Sequence, residues 1–351
     1  MKRILFTLLV LSAALGIQSC SEDFAVTAPY KPVTVVYSVF DVKDTAHYVR
    51  IQKTFLDESK NAFDMAKVSD SSFYREADLE VMVKELAGGN VVGQPLVLQR
   101  VDMNAEGYVK DSGAFFRTPN YAYKFKHPLD PSRTYRLVIN NKINNTTDSA
   151  EIQLVDTAGL KPRGNSQNVR INFSETAPGK SGTVFGMFVQ AGNAQYMEGA
   201  FRFRWIEKQP GTTGGRADSA DFVFSRLSSP DDVKEGLLEV ANTKIYAFLH
   251  TAMGDAPEGY ARYMDSVDII IYGAGPEYTN YINTLQIQSS GLSADQMKPL
   301  YTNIKGKDVF GLFSSKTTRV LKNAYISNET MQVLQNDANH RSLNIQGRVD
   351  P

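Results

Sequence analysis

The sequence predicts a mainly β protein. It reads as an immunoglobulin/fibronectin-like β-sandwich over residues 32–157, a linker at 158–168, and a β-rich C-terminal domain at 169–351 with one or two short helices. Three observations predict this. Apolar and polar residues alternate with period two in many short runs, which puts one face on a core and the other in water. Clusters of turn-forming residues separate the runs at short intervals. Tyr and Phe are plentiful, at 17 and 19, against a single Trp, a composition suited to strands.

Seven strand-like segments fill the first domain: Val33–Phe40, His47–Phe55, Leu79–Leu86, Pro95–Val101, Tyr121–His127, Tyr135–Asn141 and Ser149–Val155. Leu79, Val81 and Val83 alternate with Glu80, Met82 and Lys84, and Tyr121, Tyr123 and Phe125 with Ala122, Lys124 and Lys126. The stretch Leu129–Tyr135 resembles the corner of such sandwiches, where a Tyr opening a late strand bonds back to nearby backbone; Tyr135 is that residue. Between the second and third segments lies a long polar insertion, Asp57–Ala77, carrying Phe63, Met65, Phe73 and Tyr74. A loop of that length is expected to bind a partner or to be mobile under a few packed aromatics.

Beyond the Gly-, Pro- and Asn-containing linker the strands resume at Val169–Phe173, Thr183–Gln190, Gly199–Glu207, Asp221–Leu227 and Val267–Tyr272. Phe201, Phe203 and Trp205 alternate with Arg202, Arg204 and Ile206, which directs Trp205 to the core. Leu237–Ala252 fits helix and strand equally. A helix is expected after Gly275-Pro276, with Tyr278, Tyr281, Ile282 and Leu285 on one face.

The N-terminus locates the protein. Lys2 and Arg3 precede the apolar run Ile4–Ile17, the order of a secretory signal, and the run is too short to cross a bilayer. Ile17-Gln18-Ser19-Cys20 resembles a bacterial lipobox. That resemblance implies removal of residues 1–19, lipidation of Cys20 and a tether over 20–31. Cys20 is the only cysteine, so the chain has no internal disulfide and no cysteine-rich metal site. Ser21-Glu22-Asp23 directly behind it resembles the surface-export signal of Bacteroidota lipoproteins. Asp-Ser/Thr followed by a small or aliphatic residue recurs at Asp44, Asp148, Asp156, Asp218 and Asp265, and resembles the O-glycosylation sequon of that phylum.

In the C-terminal half a strand and a Tyr-rich helix are followed by Asn303-Ile304-Lys305-Gly306 and then Gly311-Leu312-Phe313-Ser314. This order resembles a family of uncharacterised Bacteroidota outer-membrane lipoproteins with an immunoglobulin-like N-terminal half. They are often encoded beside TonB-dependent receptors. The resemblance offers no catalytic residues. Gly306 and Gly311 read as turn positions needing freedom in φ, with Ile304, Phe310 and Phe313 as core anchors.

Catalytic and cofactor motifs are not evident. Asp268–Gly275 runs into Gly-x-Gly, but Tyr278 stands where a dinucleotide turn needs its third glycine and Pro276 removes a backbone donor. His47, His127, His250 and His340 are scattered, with no spacing for zinc. Lys plus Arg equals Asp plus Glu at 38 each, so no basic field for nucleic acid is present. No catalytic residue, metal or cofactor is expected.

These readings lead to a non-enzymatic cell-surface lipoprotein, held to the outer membrane at Cys20. It is expected to serve as an accessory or substrate-capturing subunit of a TonB-dependent receptor or other β-barrel. The alternative is a free-standing adhesin or glycan binder using Trp205, Tyr196 or Tyr260 as platforms. A third is a hydrolase built on two carboxylates, which a deep pocket would reveal.

Overall fold

A computed structural model describes residues 30–57, 60–162, 170–174, 184–289 and 301–349. The expected signal region, Cys20, Ser21-Glu22-Asp23 and the later part of the expected linker lie outside the described residues.

The chain opens with β1 (Thr34–Asp41) and β2 (His47–Lys53), then two short helices, α1 (Ala62–Ala66) and α2 (Ser69–Ser72). There follow β3 (Leu79–Ala87), β4 (Asn90–Val97), β5 (Gln99–Asp102), β6 (Tyr121–Phe125), β7 (Thr134–Asn141) and β8 (Thr146–Gln153). They form two antiparallel layers, β1-β2-β6-β5 and β4-β3-β7-β8. Val36, Val49 and Ile51 from one layer meet Val81, Leu137 and Ile139 from the other in a shared core. Burying each such aliphatic side chain contributes about 1.5–3 kcal/mol. The Tyr135 hydroxyl accepts the Asp130 N–H at 2.8 Å, closing the expected corner.

The expected single strand Pro95–Val101 is two. Through Val97 the chain pairs with β3, and from Gln99 it pairs with β6 in the other layer. Buried Leu98 makes the crossing, its N–H bonded to the Val81 carbonyl at 2.9 Å.

The second half contains β9 (Lys161–Pro162), β10 (Arg170–Ile171), β11 (Val184–Gln190), β12 (Tyr196–Lys208) and β13 (Arg216–Leu227). It continues through α3 (Pro230–Glu235), β14 (Leu237–Ala241), α4 (Asn242–Met253), β15 (Ala261–Ala274) and α5 (Pro276–Ser289). It ends with β16 (Val309–Ile326), α6 (Asn328–Asn336), a 3₁₀ turn at Ala338–Leu343, and β17 (Ile345–Arg348). Leu237–Ala252 is ambiguous in sequence because it is both structures: Leu238 and Val240 bury at period two, then Ile245, Leu249 and Met253 at period four. Phe201, Phe203 and Trp205 are buried in the second core, as their alternation predicts. The described part of the expected linker is packed, with Leu160 fully buried there.

One strand serves both halves. Val309–Lys316 of β16 run parallel to β1, and Lys316–Ala324 run antiparallel to β15. Val309 and Phe313 therefore sit in the sandwich core, while Leu321, Ala324 and Ile326 sit in the second core. The result is one continuous sheet, β13-β12-β15-β16-β1-β2-β6-β5, through the molecule.

Candidate functional site

The segment Asn303–Ser315 fastens the two layers of the sandwich. The Asn303 side chain holds the Phe313 peptide from both sides, donating to its carbonyl at 2.6 Å and accepting its N–H at 3.0 Å. Lys305 and Ser149 exchange backbone hydrogen bonds at 2.7 and 2.8 Å, which ties this segment to β8. A Cβ on Gly306 would lie 1.9 Å from the Asp148 carboxylate, so space, not φ, dictates glycine there. Burial pushes the Asp148 carboxyl up, opposed by a backbone hydrogen bond from Lys307. Gly311 does adopt a positive φ, +136°.

Of the three expected anchors, Ile304 and Phe313 are buried, but Phe310 is 37% exposed. The register explains the difference: Phe310 pairs with Val35 on the outward face, and Val309 takes the inward place. This segment packs the protein and carries no chemistry that its neighbours reveal.

Two clefts are larger. One, of about 510 Å³, opens between the halves, lined by Gln153, Gly192, Gln195, Lys234, Pro276 and Glu277 among others. Glu277 lies in the first turn of α5. It accepts the Ser314 hydroxyl at 3.1 Å, and burial raises its carboxyl above the usual range. The same Ser314 hydroxyl accepts the Tyr278 N–H at 3.2 Å. The Gly273–Gly275 stretch therefore leads into a helix start already met by the chain's own side chains. β15 also runs antiparallel to β12 and β16, unlike a dinucleotide-binding βαβ unit. The cleft could hold a small polar molecule against Glu277 and Lys234.

The other cleft, about 670 Å³, lies at the sandwich edge between β4 and β6, lined by Leu96, Val97, Gln99, Glu106, Lys124 and Lys126 among others. Lys124 pairs with Glu106 and holds that carboxyl below its usual range. The Tyr48 hydroxyl donates to the same carboxylate at 3.1 Å. Beside this cleft β4 ends its sheet, and its sequence, Asn90–Val97, has no charged residue and exposes Val91, Val92 and Val97.

The histidines scattered in sequence do not all stay apart. His250 Nε2 and His340 Nδ1 are 3.0 Å apart, with Tyr246 packed on the His340 ring at 4.4 Å between centroids. Burial lowers the His340 pKa, and His250 lowers it further. Local spacing could not reveal a pair drawn from α4 and the Ala338–Leu343 turn. Among the described residues, no group of three or more His, Cys, Asp or Glu could hold a metal ion.

The insertion Asp57–Ala77 is a helical cover in its described residues. Phe73 packs on Phe116 and Tyr121, and the Tyr74 hydroxyl meets Thr34 Oγ1 at 2.7 Å. Of the aromatic platforms considered, Trp205 and Tyr196 are buried and Tyr260 is exposed. The α5 face is only half-buried: Tyr281 meets Tyr37 and Tyr301 edge-on, and Leu285 faces solvent. Among the Asp-Ser/Thr motifs, Thr45 and Ser219 are exposed, whereas Ser149 is paired within β8.

The sequence model of a family described as a domain of unknown function (DUF4249) matches residues 21–321, most of the chain. No curated protein matches it.

Proposed function

The chain belongs to the DUF4249 family, and from that premise we propose that it is a non-enzymatic lipoprotein of the outer membrane, displayed at the cell surface. It acts there as an accessory or substrate-capturing subunit of a β-barrel transport complex of the TonB-dependent kind. The observation that carries this reading is Ile17-Gln18-Ser19-Cys20 behind a basic and apolar leader, followed by Ser21-Glu22-Asp23. Lipid chains on Cys20 confine the protein to the plane of its partner, where a high effective concentration lets modest contacts suffice.

Two features support a binding role. The uncharged outer edge of β4 offers unpaired backbone groups to a partner strand. The cleft at Glu277 and Lys234 offers a polar recess for a small cargo. The test is to solubilise native outer membrane gently, capture the tagged protein and identify copurifying proteins by mass spectrometry. A stoichiometric β-barrel supports the reading. Recovery of the lipoprotein alone, under conditions that preserve other membrane complexes, overturns it.

A further inference from the structure

The described chain enters the fold at one end of the sandwich. Tyr30 bonds through its hydroxyl to Thr54, and the Val33 N–H donates to Thr54 Oγ1 at 2.9 Å. The same end carries the pairing Thr34–Lys53, where β1 begins and β2 stops. Three connections leave the sandwich there: the one from β2 to β3, the one from β5 to β6, and the turn from β7 to β8. They are tied together, since the Phe116 N–H reaches the Ala66 carbonyl at 3.2 Å and the Lys142 N–H reaches the Asp78 carbonyl at 2.9 Å.

These connections hold an unusual set of solvent-facing apolar side chains. Leu56, Phe63, Val68, Val109, Phe115 and Ile143 are each between 49% and 68% exposed. Exposed apolar side chains gathered at one end of a fold point to an interaction surface more than the same residues scattered over it. Leu56, Phe63 and Val68 lie on the first connection, Val109 and Phe115 on the second, and Ile143 on the third. Part of the charge between them is matched locally, Lys60 with Asp57 and Lys67 with Asp64. A rigid protein partner fits a continuous surface best, whereas a bilayer interface accepts separate apolar tips with paired charges between them.

Chain length limits how far these tips can stand from a membrane that holds Cys20. From Cys20 to Tyr30 is ten residues, a reach of at most about 35 Å. The rest of the molecule extends the other way, because β16 runs along β1 from Thr34 to Asp41, about 23 Å, before entering the second half. We infer that this loop end docks on the lipid surface through its apolar tips, so that the C-terminal half is held away from the bilayer. The inference rests on the lipid-anchor reading above, and it adds a defined orientation to the tether.

The test uses the full lipidated chain in phosphatidylcholine vesicles. Acylated Cys20 leaves a single introduced thiol for an environment-sensitive dye in Phe63→Cys, in Phe115→Cys, and in the control Thr213→Cys, which lies in the exposed loop joining β12 and β13. Emission at positions 63 and 115 should shift to the blue and lose accessibility to aqueous iodide on reconstitution, with no change at 213. Vesicle-bound protein whose dyes at 63 and 115 stay as quenchable as at 213 overturns the inference while leaving the anchor intact. Protein that fails to float with vesicles refutes the anchor and the inference with it. Shielding that appears only at high protein density, or only with a membrane protein added, marks a protein interface and also overturns it.

Discussion

Gly311 of β16 lies so close to Val36 of β1 that a methyl group placed on it would come within 1.8 Å of the Val36 carbonyl oxygen. The two strands run parallel at this point, and Gly311 holds a φ of +136°, a conformation L side chains rarely adopt. This contact joins the strand that serves both cores to the first strand of the sandwich.

Gly311→Ala should therefore destabilise the protein by about 3 kcal/mol, combining backbone strain with the clash. Trp205, buried in the other half and the sole Trp, gives the readout by fluorescence during urea unfolding. Because β16 contributes to both cores, the Trp205 transition should shift together with a probe in the sandwich. A shift confined to the sandwich would show that the halves unfold separately.

Tyr135→Phe removes the acceptor for the Asp130 N–H and should cost about 1–3 kcal/mol. The corner is a packing device, so partner capture and membrane association should be unchanged once the protein is folded. Loss of copurifying partner from a folded Tyr135→Phe protein would contradict that assignment.

Arg262 is buried against Glu207 at 3.0 Å and also caps the end of α4, donating to the Met253 and Gly254 carbonyls at 2.8 and 2.7 Å. Arg262→Met leaves buried Glu207 with only the exposed Arg216, 3.6 Å away, as an ionic partner and should cost about 3 kcal/mol. Adding Glu207→Leu should recover part of the loss, as chemical denaturation would show. Equal destabilisation of the single and double variants would mean that the helix cap, not the ion pair, dominates.

His340 gives the fold a dependence on pH. Burial and His250 hold its folded pKa below the ordinary value near about 6.5, so the unfolded chain binds more protons as pH falls. Its contribution is complete above about 6.5 and is lost as pH falls through the folded value. Burial shifts His47 the same way, whereas raised carboxyls at Asp41, Asp148 and Glu277 act oppositely, losing their contribution as pH rises. The isolating measurement is the urea midpoint at about pH 7.5 and about pH 5.5 for wild type and His340→Phe. The acid-induced loss should be smaller in the variant, and an equal loss in both would remove His340 as a source.

What the sequence made legible was local. Tyr135 announced its corner through the residues just before it, and Phe201, Phe203 and Trp205 revealed their face by alternation. Pairings between distant residues were not legible. The sheet change at Leu98 depends on β3 and β6 together, and the outward turn of Phe310 on its register with Val35. The role of β16 in two cores and the meeting of His250 with His340 also arise only from long-range packing. The clefts are likewise assembled from segments far apart in the chain, so no single stretch signals them.

The partner reading and the membrane-facing loops share one premise, a lipid on Cys20. The most direct measurement is the mass of the N-terminal peptide from protein extracted from the membrane fraction. The account predicts a peptide beginning at Cys20 and carrying the added mass of acyl chains. A mature chain that begins elsewhere, or that retains Cys20 as a free thiol, would contradict it.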